Sequence, residues 1–486
     1  MRAVSWHKSS ESREAGRGPA IVGNPLLVDD VAVESRFPAS SGILLGIAGC
    51  LQLISFVELA FGTGLASATW FLVSQFLTCL ALIRLYDGRW VLQDIRLFFA
   101  AFLFLYGATL PLVVTLGYGL PTAGIGRAAF MFGTAFLGVN IVQWWYRQPW
   151  HDVPAEVFDR IRPTFTNTAV LIAAFAALLL YAVSRGLDLT GALDRRKTLL
   201  LGTQLWVVAI FMMNGFVMFM FAGWNRLNRT VRRWLVVYVA LFVLFALSLG
   251  NRRDFLPMFI FLVGVAATRR HAVIGRKTVL VGLLAFFGMN AFGIVRQVAY
   301  NPAILAQVDP VQVLVTENEF VSPIQTLMHY MLHPHPLRWG STYLMAPGLF
   351  VPRAIWIEKP ESLSLQFMRD AYGSVELMGF AYTPVTEAFL NFGFLGPFLI
   401  FSIISLLLVK LVRSVDEHPG LYFIAFALVV DFNRGDFGGT LYEMTMVGAA
   451  YSLMLLCSRL RWTPSTARKF MSVPAPSPAS SVARDL

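Results

Sequence analysis

Residues 97–116 read LFFAAFLFLYGATLPLVVTL, a run without a single charged side chain. An α-helix needs about 20 apolar residues to cross the hydrocarbon core of a bilayer, with a working range of about 17–25. Stretches of the same kind recur between Ile43 and Cys457. A charged side chain inside such a stretch costs about 2.5–3.5 kcal/mol. The chain is therefore predicted to be an all-α polytopic integral membrane protein.

About twelve stretches reach the length of a transmembrane helix. Their approximate bounds are 43–61, 66–83, 97–116, 128–146, 168–183, 199–222, 234–250, 255–268, 278–294, 384–409, 420–432 and 440–457. This division predicts a cytoplasmic N-terminal tail at 1–42 and a transmembrane domain at 43–462 that carries the candidate catalytic site. That domain includes a large extracytoplasmic loop at 295–383 with short helices, and residues 463–486 are expected to form a disordered cytoplasmic C-terminal tail.

The composition excludes an ordinary soluble domain, because 57% of the 486 residues are hydrophobic and only 14% are charged. The net charge of +11 comes from basic residues scattered among short loops. That distribution favours contacts with membrane lipids and argues against nucleic acid as a partner. The three cysteines, Cys50, Cys79 and Cys457, all lie in apolar stretches, so no disulfide framework is expected.

The distribution of Lys and Arg predicts the orientation. With the N-terminus inside, about two thirds of the 39 basic residues lie on the cytoplasmic side. Two short loops on that side contain four basic residues each, one with Arg226 and Arg229 and the other with Arg269 and Arg270. The positive-inside rule therefore predicts that both the N-terminus and the C-terminus are cytoplasmic.

This orientation gathers polar residues at the outer side of the membrane. Arg252, Arg253, Arg296 and Arg434 all fall there, as does Glu387, which shares a helix face with Asn391 at i, i+4. Guanidinium groups bind phosphate oxygens in pairs and never deprotonate, so the cluster suits a phosphate-bearing anion. Taken singly, an Arg at the end of a span is more often an anchor that reaches the interface.

The long loop adds further polar segments. Residues 352–360 read PRAIWIEKP and place Arg353, Trp356 and Lys359 between two prolines. Upstream, residues 316–320 carry Glu317 and Glu319. A loop is predicted for residues 340–343, and residues 361–378 have the amphipathic pattern of a helix at the membrane interface. His333 and His335 lack a nearby third ligand, so no metal site is expected.

The sequence also lacks the motifs of soluble enzymes. It contains no phosphate-binding P-loop, no G-x-S-x-G, no H-E-x-x-H and no D-x-D, which argues against a divalent-metal nucleotide-sugar mechanism. The polar residues lie at the rim rather than at the midplane, and no internal repeat is evident. Both features count against a secondary transporter and favour a catalytic site that faces the surface.

The polar motifs resemble those of the O-antigen polysaccharide polymerase (Wzy-type) family of bacterial inner-membrane proteins. They lie at residues 316–319, 340–343, 352–360, 387–393 and 433–436, and the resemblance covers mainly residues 245–440. It implies a GT-C-like, metal-independent glycosyltransferase without a cofactor that polymerises undecaprenyl-diphosphate-linked oligosaccharide repeat units on the periplasmic side. A chain-length regulator and a flippase are the protein partners that the family implies.

The resemblance also suggests roles for individual residues. The candidate diphosphate clamps are Arg253, Arg296, Arg353 and Arg434, with Arg252 and Lys359 as second choices. The candidate bases that deprotonate the acceptor hydroxyl are Glu319, Glu317 and Glu387, followed by His329. The remaining candidates for contacts with the substrate are Trp356, Tyr343, Tyr382 and Asn391.

Two other functions remain open from the sequence. One is an O-antigen ligase-like transferase, which shares the donor but passes the polymer to a lipid core. The other is a transporter or flippase of an anionic lipid-linked glycan, which moves its substrate without forming a glycosidic bond. Length analysis of the lipid-linked product separates all three.

Overall fold

The computed structural model describes residues 39–61, 64–118, 123–150, 153, 156–184, 204–248, 255–284, 288, 320–333, 335–351, 355–373 and 381–459. Throughout these ranges the regular structure is helical, and the β-type pairing recorded there is one isolated antiparallel bridge between Val91 and Val273. The all-α class predicted from the sequence is therefore confirmed.

The helical residues 276–284 carry no label, and sixteen of the described α-helices are labelled. They are α1 (Ala39–Phe61), α2 (Gly64–Asp87), α3 (Ile95–Thr115), α4 (Ile125–Tyr146), α5 (Glu156–Asp159), α6 (Phe165–Ser184), α7 (Gln204–Ala222), α8 (Arg229–Ser248), α9 (Leu256–Arg269), α10 (Ser322–Leu332), α11 (Ser341–Met345), α12 (Leu363–Tyr372), α13 (Pro384–Phe392), α14 (Gly396–Arg413), α15 (Pro419–Asn433) and α16 (Phe437–Arg459).

Six of the described segments are long and apolar enough to cross a membrane. They are Ala39–Ala60, Gly64–Asp87, Ile95–Thr115, Ile125–Tyr146, Pro384–Arg413 and Phe437–Arg459. Four shorter apolar helices accompany them, at Phe165–Tyr181, Val207–Ala222, Leu256–Arg269 and Pro419–Asn433. These segments identify a helical membrane protein, whereas the expected twelve spans remain a prediction. Of the predicted span at 278–294, residues 278–284 are helical and most of the rest lies outside the described residues.

The helices pack closely at positions where the crossing residue is a glycine. A Cβ atom on Gly138 of α4 would lie 2.5 Å from the carbonyl oxygen of Phe398 in α14. A Cβ atom on Gly215 of α7 would lie equally close to the carbonyl oxygen of Val447 in α16. Small residues at such crossings let two backbones approach, which is the usual basis of helix association in a bilayer.

A buried ionic network ties several helices together at one end of the structure. We call Asp87, Asp94, Arg96 and Gln148 the Arg96 network, and its end of the bundle the Arg96 end. The Arg96 guanidinium lies 2.8 Å from both carboxylates and donates to the carbonyl oxygen of Gln148 at 2.6 Å. Arg413 at the end of α14 donates to the side chain of Gln148. The network therefore joins the ends of α2, α4 and α14 to the start of α3.

The opposite ends of these helices meet at what we call the Glu387 end. There the hydroxyl groups of Thr69 in α2 and Thr115 in α3 lie 3.1 Å apart. The backbone N–H of Phe437, the first residue of α16, donates to Glu387 near the start of α13. The helices α2, α3 and α14 thus each have one end here and the other at the Arg96 end.

The predicted span at 384–409 is two helices rather than one. A 3₁₀ turn at Gly393–Leu395 separates α13 from α14, and Gly393 has a φ of +62°, which few residues other than glycine adopt. A Cβ atom on Gly396 would collide with the backbone carbonyl of Ala388. The two helices are therefore in close contact across the break.

The segment between α10 and α13 contains short helices, as the sequence suggests. Residues 340–343 were expected to form a loop, but Ser341–Met345 is the short helix α11, which begins after Gly340 at a φ of +83°. The amphipathic stretch contains α12, and its buried face consists of Leu363, Phe367 and Met368. That face packs towards the protein, whereas Leu365 and Tyr372 of the same helix are exposed, and the position of α12 at the membrane interface stays a prediction.

Candidate functional site

The candidate site is a partly open cavity of about 200 Å³ at the Glu387 end. It lies where α11, α12, α13 and the start of α16 converge. Its described lining consists of Arg338, Ser341, Thr342, Met345, Ala346, Leu349, Pro360, Glu361, Ser362, Leu363, Gln366, Glu387, Asp436 and Gly438. The cavity brings two sequence motifs together, those at 340–343 and 433–436, with Glu387 between them.

Glu387 lies in the first turn of α13. Thr383 caps this helix through its side-chain oxygen, which accepts from the N–H of Val385 at 3.3 Å, and Pro384 fits the first helical position. The Glu387 side chain is only 1% exposed. Its Oε1 accepts from the Thr342 hydroxyl at 2.7 Å and its Oε2 accepts from the N–H of Phe437 at 2.6 Å. The carboxylate is therefore held in one orientation from two sides.

Asn391 lies one turn after Glu387 and completes this arrangement. Its Nδ2 donates to the carbonyl oxygen of Glu387 at 2.8 Å and to the hydroxyl of Thr342 at 2.7 Å, and its Oδ1 accepts from the N–H of Gly340 at 2.9 Å. The predicted i, i+4 relation of Glu387 and Asn391 is thus confirmed. Because Asn391 occupies the acceptor side of the Thr342 hydroxyl, that hydroxyl must donate its proton to Glu387.

Asp436 supplies a second buried carboxylate to the cavity. It precedes α16 and caps it, because its Oδ1 accepts from the N–H of Gly439 at 2.6 Å. Its Oδ2 accepts from the N–H of Leu363 at 2.8 Å, which fixes the start of α12. Asp436 belongs to the motif at 433–436, but the residue of that motif predicted to have a role is Arg434. The signal that was overlooked is an Asp followed by Gly-rich residues immediately before an apolar helix.

Arg338 is a further functional candidate that was not predicted from the sequence. Its Nη1 donates to Oε1 of Gln366 in α12 at 2.8 Å. Its backbone N–H donates to the carbonyl oxygen of Leu390, and that of Trp339 donates to the carbonyl oxygen of Asn391, both at 3.0 Å. These bonds hold the residues before α11 against the end of α13. The overlooked signal is an Arg two residues before the motif at 340–343.

The structure places the other predicted residues around the cavity rather than in its wall. Arg434 is half-buried at the end of α15, and its carbonyl oxygen accepts from the N–H of Tyr382. Lys359 is buried, and its Nζ donates to the carbonyl oxygens of Leu349 at 2.6 Å and Val351 at 3.0 Å. Lys359 thus stabilises the turn that follows α11.

The aromatic candidates Trp356 and Tyr343 pack against neighbouring protein groups. The ring of Trp356 lies against Gly348, where a Cβ atom would be 2.6 Å from the indole. The ring of Tyr343 is parallel to that of Phe392, with centroids 6.5 Å apart. Burial, together with the nearby Glu387 carboxylate, raises the pKa of Tyr343 above its usual value, so its phenol stays protonated. Its hydroxyl is a buried atom without a hydrogen-bond partner among the described residues.

His329 lies in α10, away from the cavity lining. Its ring centroid is 4.4 Å from that of His333 and 5.4 Å from that of Phe367. Burial, with a smaller contribution from His333, lowers the pKa of His329. Over the described residues, no group of three or more His, Cys, Asp or Glu side chains is arranged to hold a metal ion.

Six predicted site residues lie outside the described residues. They are Glu317, Glu319, Arg252, Arg253, Arg296 and Arg353. The structure therefore brings together Glu387, Asn391 and the motif at 340–343, and it leaves the proposed cluster of arginines as a prediction.

The charges in the described cavity wall are mainly negative. Three of the four ionisable side chains are carboxylates, Glu361, Glu387 and Asp436, and the fourth is the guanidinium of Arg338. Glu361 is paired with Arg369, which lies 2.8 Å away on the exposed side of α12. Such a site can accept protons or hydrogen bonds from a bound ligand.

No protein-family model, curated protein or solved structure matches this chain. The assignment of a function therefore depends on the residues of the site.

Proposed function

We propose that the chain is a metal-independent membrane glycosyltransferase of the O-antigen polymerase (Wzy-type) family. It polymerises undecaprenyl-diphosphate-linked oligosaccharide repeat units on the periplasmic face of the bacterial inner membrane, with both termini in the cytoplasm. The observation that carries this proposal is the cavity at the Glu387 end, where a buried and oriented carboxylate lies among hydroxyl and guanidinium groups. Such a carboxylate is what the transfer of a sugar to a hydroxyl requires.

In the proposed reaction Glu387 accepts the proton of an acceptor hydroxyl. The oxygen then attacks the anomeric carbon of the growing chain, and a new glycosidic bond forms. The bond between that carbon and the diphosphate breaks, and undecaprenyl diphosphate leaves with the electron pair. The charge that develops on the leaving group is neutralised by Arg434 together with Arg252, Arg253, Arg296 and Arg353. Fixed cations of this kind are worth about 3–4 kcal/mol per contact in well-studied enzymes.

The neighbours of Glu387 support its role as the base. Thr342 and the N–H of Phe437 keep the carboxylate in place, and Asn391 holds Thr342. None of these three groups carries a charge, so none of them competes for the proton that the base must accept. A positioned base of this type contributes typically about 10²–10⁴-fold to the rate.

The test is the length distribution of lipid-linked glycan in membranes with and without the protein. Wild type should produce a ladder of repeats, and Glu387→Gln should leave single repeat units. Glu358→Gln is the matched control, because Glu358 is an exposed carboxylate that precedes α12 and lies outside the cavity wall. A full ladder with Glu387→Gln would refute the proposal, and full-length polymer that accumulates on the carrier in cells without the protein would indicate a ligase instead.

A transporter of lipid-linked glycan is the second candidate, and one observation favours it. The segment Pro384–Arg413 is discontinuous, and a buried carboxylate lies just before the break. Broken helices of this kind form the binding sites of many transporters. In this case the protein, reconstituted in vesicles, would move labelled lipid-linked glycan across the bilayer while the number of glycosidic bonds stayed constant.

A further inference from the structure

We infer that the cavity is a subsite for one uncharged sugar ring of the acceptor, and that the diphosphate binds elsewhere. This inference rests on the proposed function, and it specifies which part of the two substrates the cavity holds. It concerns the described wall of the cavity, in which Arg338, Ser341, Gln366 and Asp436 surround the proposed base Glu387.

The hydrogen-bonding capacity of the wall is the first reason. A carboxylate only accepts hydrogen bonds, and three of the four ionisable groups in the wall are carboxylates. Oε2 of Glu361 is a buried atom without a partner among the described residues. A ligand whose groups donate hydrogen bonds therefore suits these carboxylates better than one whose groups only accept. Sugar hydroxyls donate and accept, whereas an ionised diphosphate has no proton to give.

Charge leads to the same conclusion. Glu361 is paired with Arg369, and the remaining ionisable groups of the wall are two carboxylates, Glu387 and Asp436, and the guanidinium of Arg338, so the wall offers a diphosphate no excess of positive charge. Arg338 already donates to Gln366, which links it to α12. Arg434, the described arginine proposed for the diphosphate, is not part of the cavity wall. The leaving group and the base thus lie in different surroundings.

The size and shape of the cavity define the ligand further. About 200 Å³ is less than the roughly 300–1,000 Å³ of typical small-molecule pockets, so the space suits a single ring rather than a whole repeat unit. Met345, Leu349 and Pro360 belong to the apolar part of the wall, and the carboxylates belong to its polar part. A sugar ring also has an apolar and a polar part, with C–H groups on one face and hydroxyl groups around its edge.

A thiol introduced into the wall tests the inference by binding alone. Ser341 is exposed and lines the cavity, whereas Cys79 and Cys457 are buried. The variant Ser341→Cys, in a Cys50→Ser background, is reconstituted as the full chain in lipid nanodiscs. The rate of maleimide labelling is measured with two probes. One is the diphosphate-free oligosaccharide released by mild acid from the lipid-linked glycan, and the other is inorganic pyrophosphate.

We expect the oligosaccharide to slow labelling of Ser341→Cys and pyrophosphate to leave the rate unchanged. Glu358→Cys in the same background is the control, because this exposed position lies outside the wall and neither probe should protect it. Protection by pyrophosphate, or lack of protection by the oligosaccharide, overturns the inference.

Kinetics provide a second test. Gln366→Ala should raise KM for a single-unit acceptor by about fivefold, the loss of roughly one hydrogen bond, and leave KM for the polymeric donor unchanged. Equal increases in both KM values would contradict the inference. The outcomes also separate the two proposals. A full ladder with Glu387→Gln refutes the polymerase, whereas a collapsed ladder combined with protection by pyrophosphate refutes only the acceptor subsite.

Discussion

Replacing Arg96 with methionine should destabilise the protein more than replacing any exposed arginine. The guanidinium makes bidentate contacts with Asp94 and Asp87 and one bond to the carbonyl oxygen of Gln148, at 2.6–3.2 Å. The side chains of Arg96, Asp87 and Asp94 are 3%, 1% and 0% exposed. Arg96→Met therefore leaves two carboxylates buried side by side without a cation.

The magnitude follows from this geometry. Removing one partner of a buried ion pair costs about 3–5 kcal/mol, and here two carboxylates lose the same partner. The upper part of that range, about 5 kcal/mol, is a large fraction of the 5–15 kcal/mol that stabilises a typical protein. Arg96→Lys should be intermediate, because the ammonium keeps the charge but loses the paired geometry. Adding Asp87→Asn and Asp94→Asn to Arg96→Met should recover much of the loss.

The assay uses the protein's own cysteines. Cys79 and Cys457 are buried, so a thiol-reactive dye reports unfolding once exposed Cys50 has been replaced by serine. Melting temperatures are compared at one scan rate, because membrane proteins seldom unfold reversibly. Arg84→Met is the matched control. Among the described residues the half-buried Arg84 side chain bonds to Ser40 and lies over the Trp90 ring, contacts worth about 1 kcal/mol each. Equal melting temperatures for Arg96→Met and Arg84→Met would refute the reasoning.

Three further predictions concern the Glu387 end. Asn391→Ala should lower the free energy of unfolding by about 2–3 kcal/mol, because it removes three hydrogen bonds. A double-mutant cycle with Thr342→Val should show coupling between the two residues, and additive losses would contradict this prediction. Gly396→Ala should reduce the amount of folded protein in the membrane, because its Cβ atom meets a backbone carbonyl, while Gly448→Ala, which has open space, should not. Because the pKa of His329 is lowered in the folded protein, the unfolded chain binds the proton more tightly, and stability should fall as the pH drops below about 6.5. His329→Gln should weaken this pH dependence, which is measured as the difference between the melting temperatures at pH 5 and pH 8.

The apolar helices could be predicted from the sequence because bilayer length and apolar composition are local properties. The stretch predicted at 128–146 corresponds to Ile125–Tyr146, and that at 97–116 to Ile95–Thr115. The break at Gly393–Leu395 was not predicted, although Gly393 and Gly396 are visible in the sequence. A glycine alone does not show whether a helix bends, continues or ends, because neighbouring helices decide which conformation is stable.

The site was predictable only where its contacts are local. Glu387 and Asn391 are four residues apart and were placed on one face, which the bond between them confirms. Arg338 and Asp436 meet Glu387 from distant parts of the sequence, and no periodicity relates them. The Arg96 network depends even more on tertiary structure, because Gln148 joins Arg96 to Arg413. Bonds of this kind become visible only when the helix ends are assembled.

The tight joint between α13 and α14 has a mechanical consequence. Because the backbone of Gly396 touches that of Ala388, the two helices cannot swing independently, and a tilt of α14 is transmitted to Glu387. Helices adjust their tilt when the hydrocarbon thickness of the bilayer changes. The geometry around Glu387 should therefore respond to the acyl-chain length of the surrounding lipids, and the protein would function best in a membrane of one particular thickness.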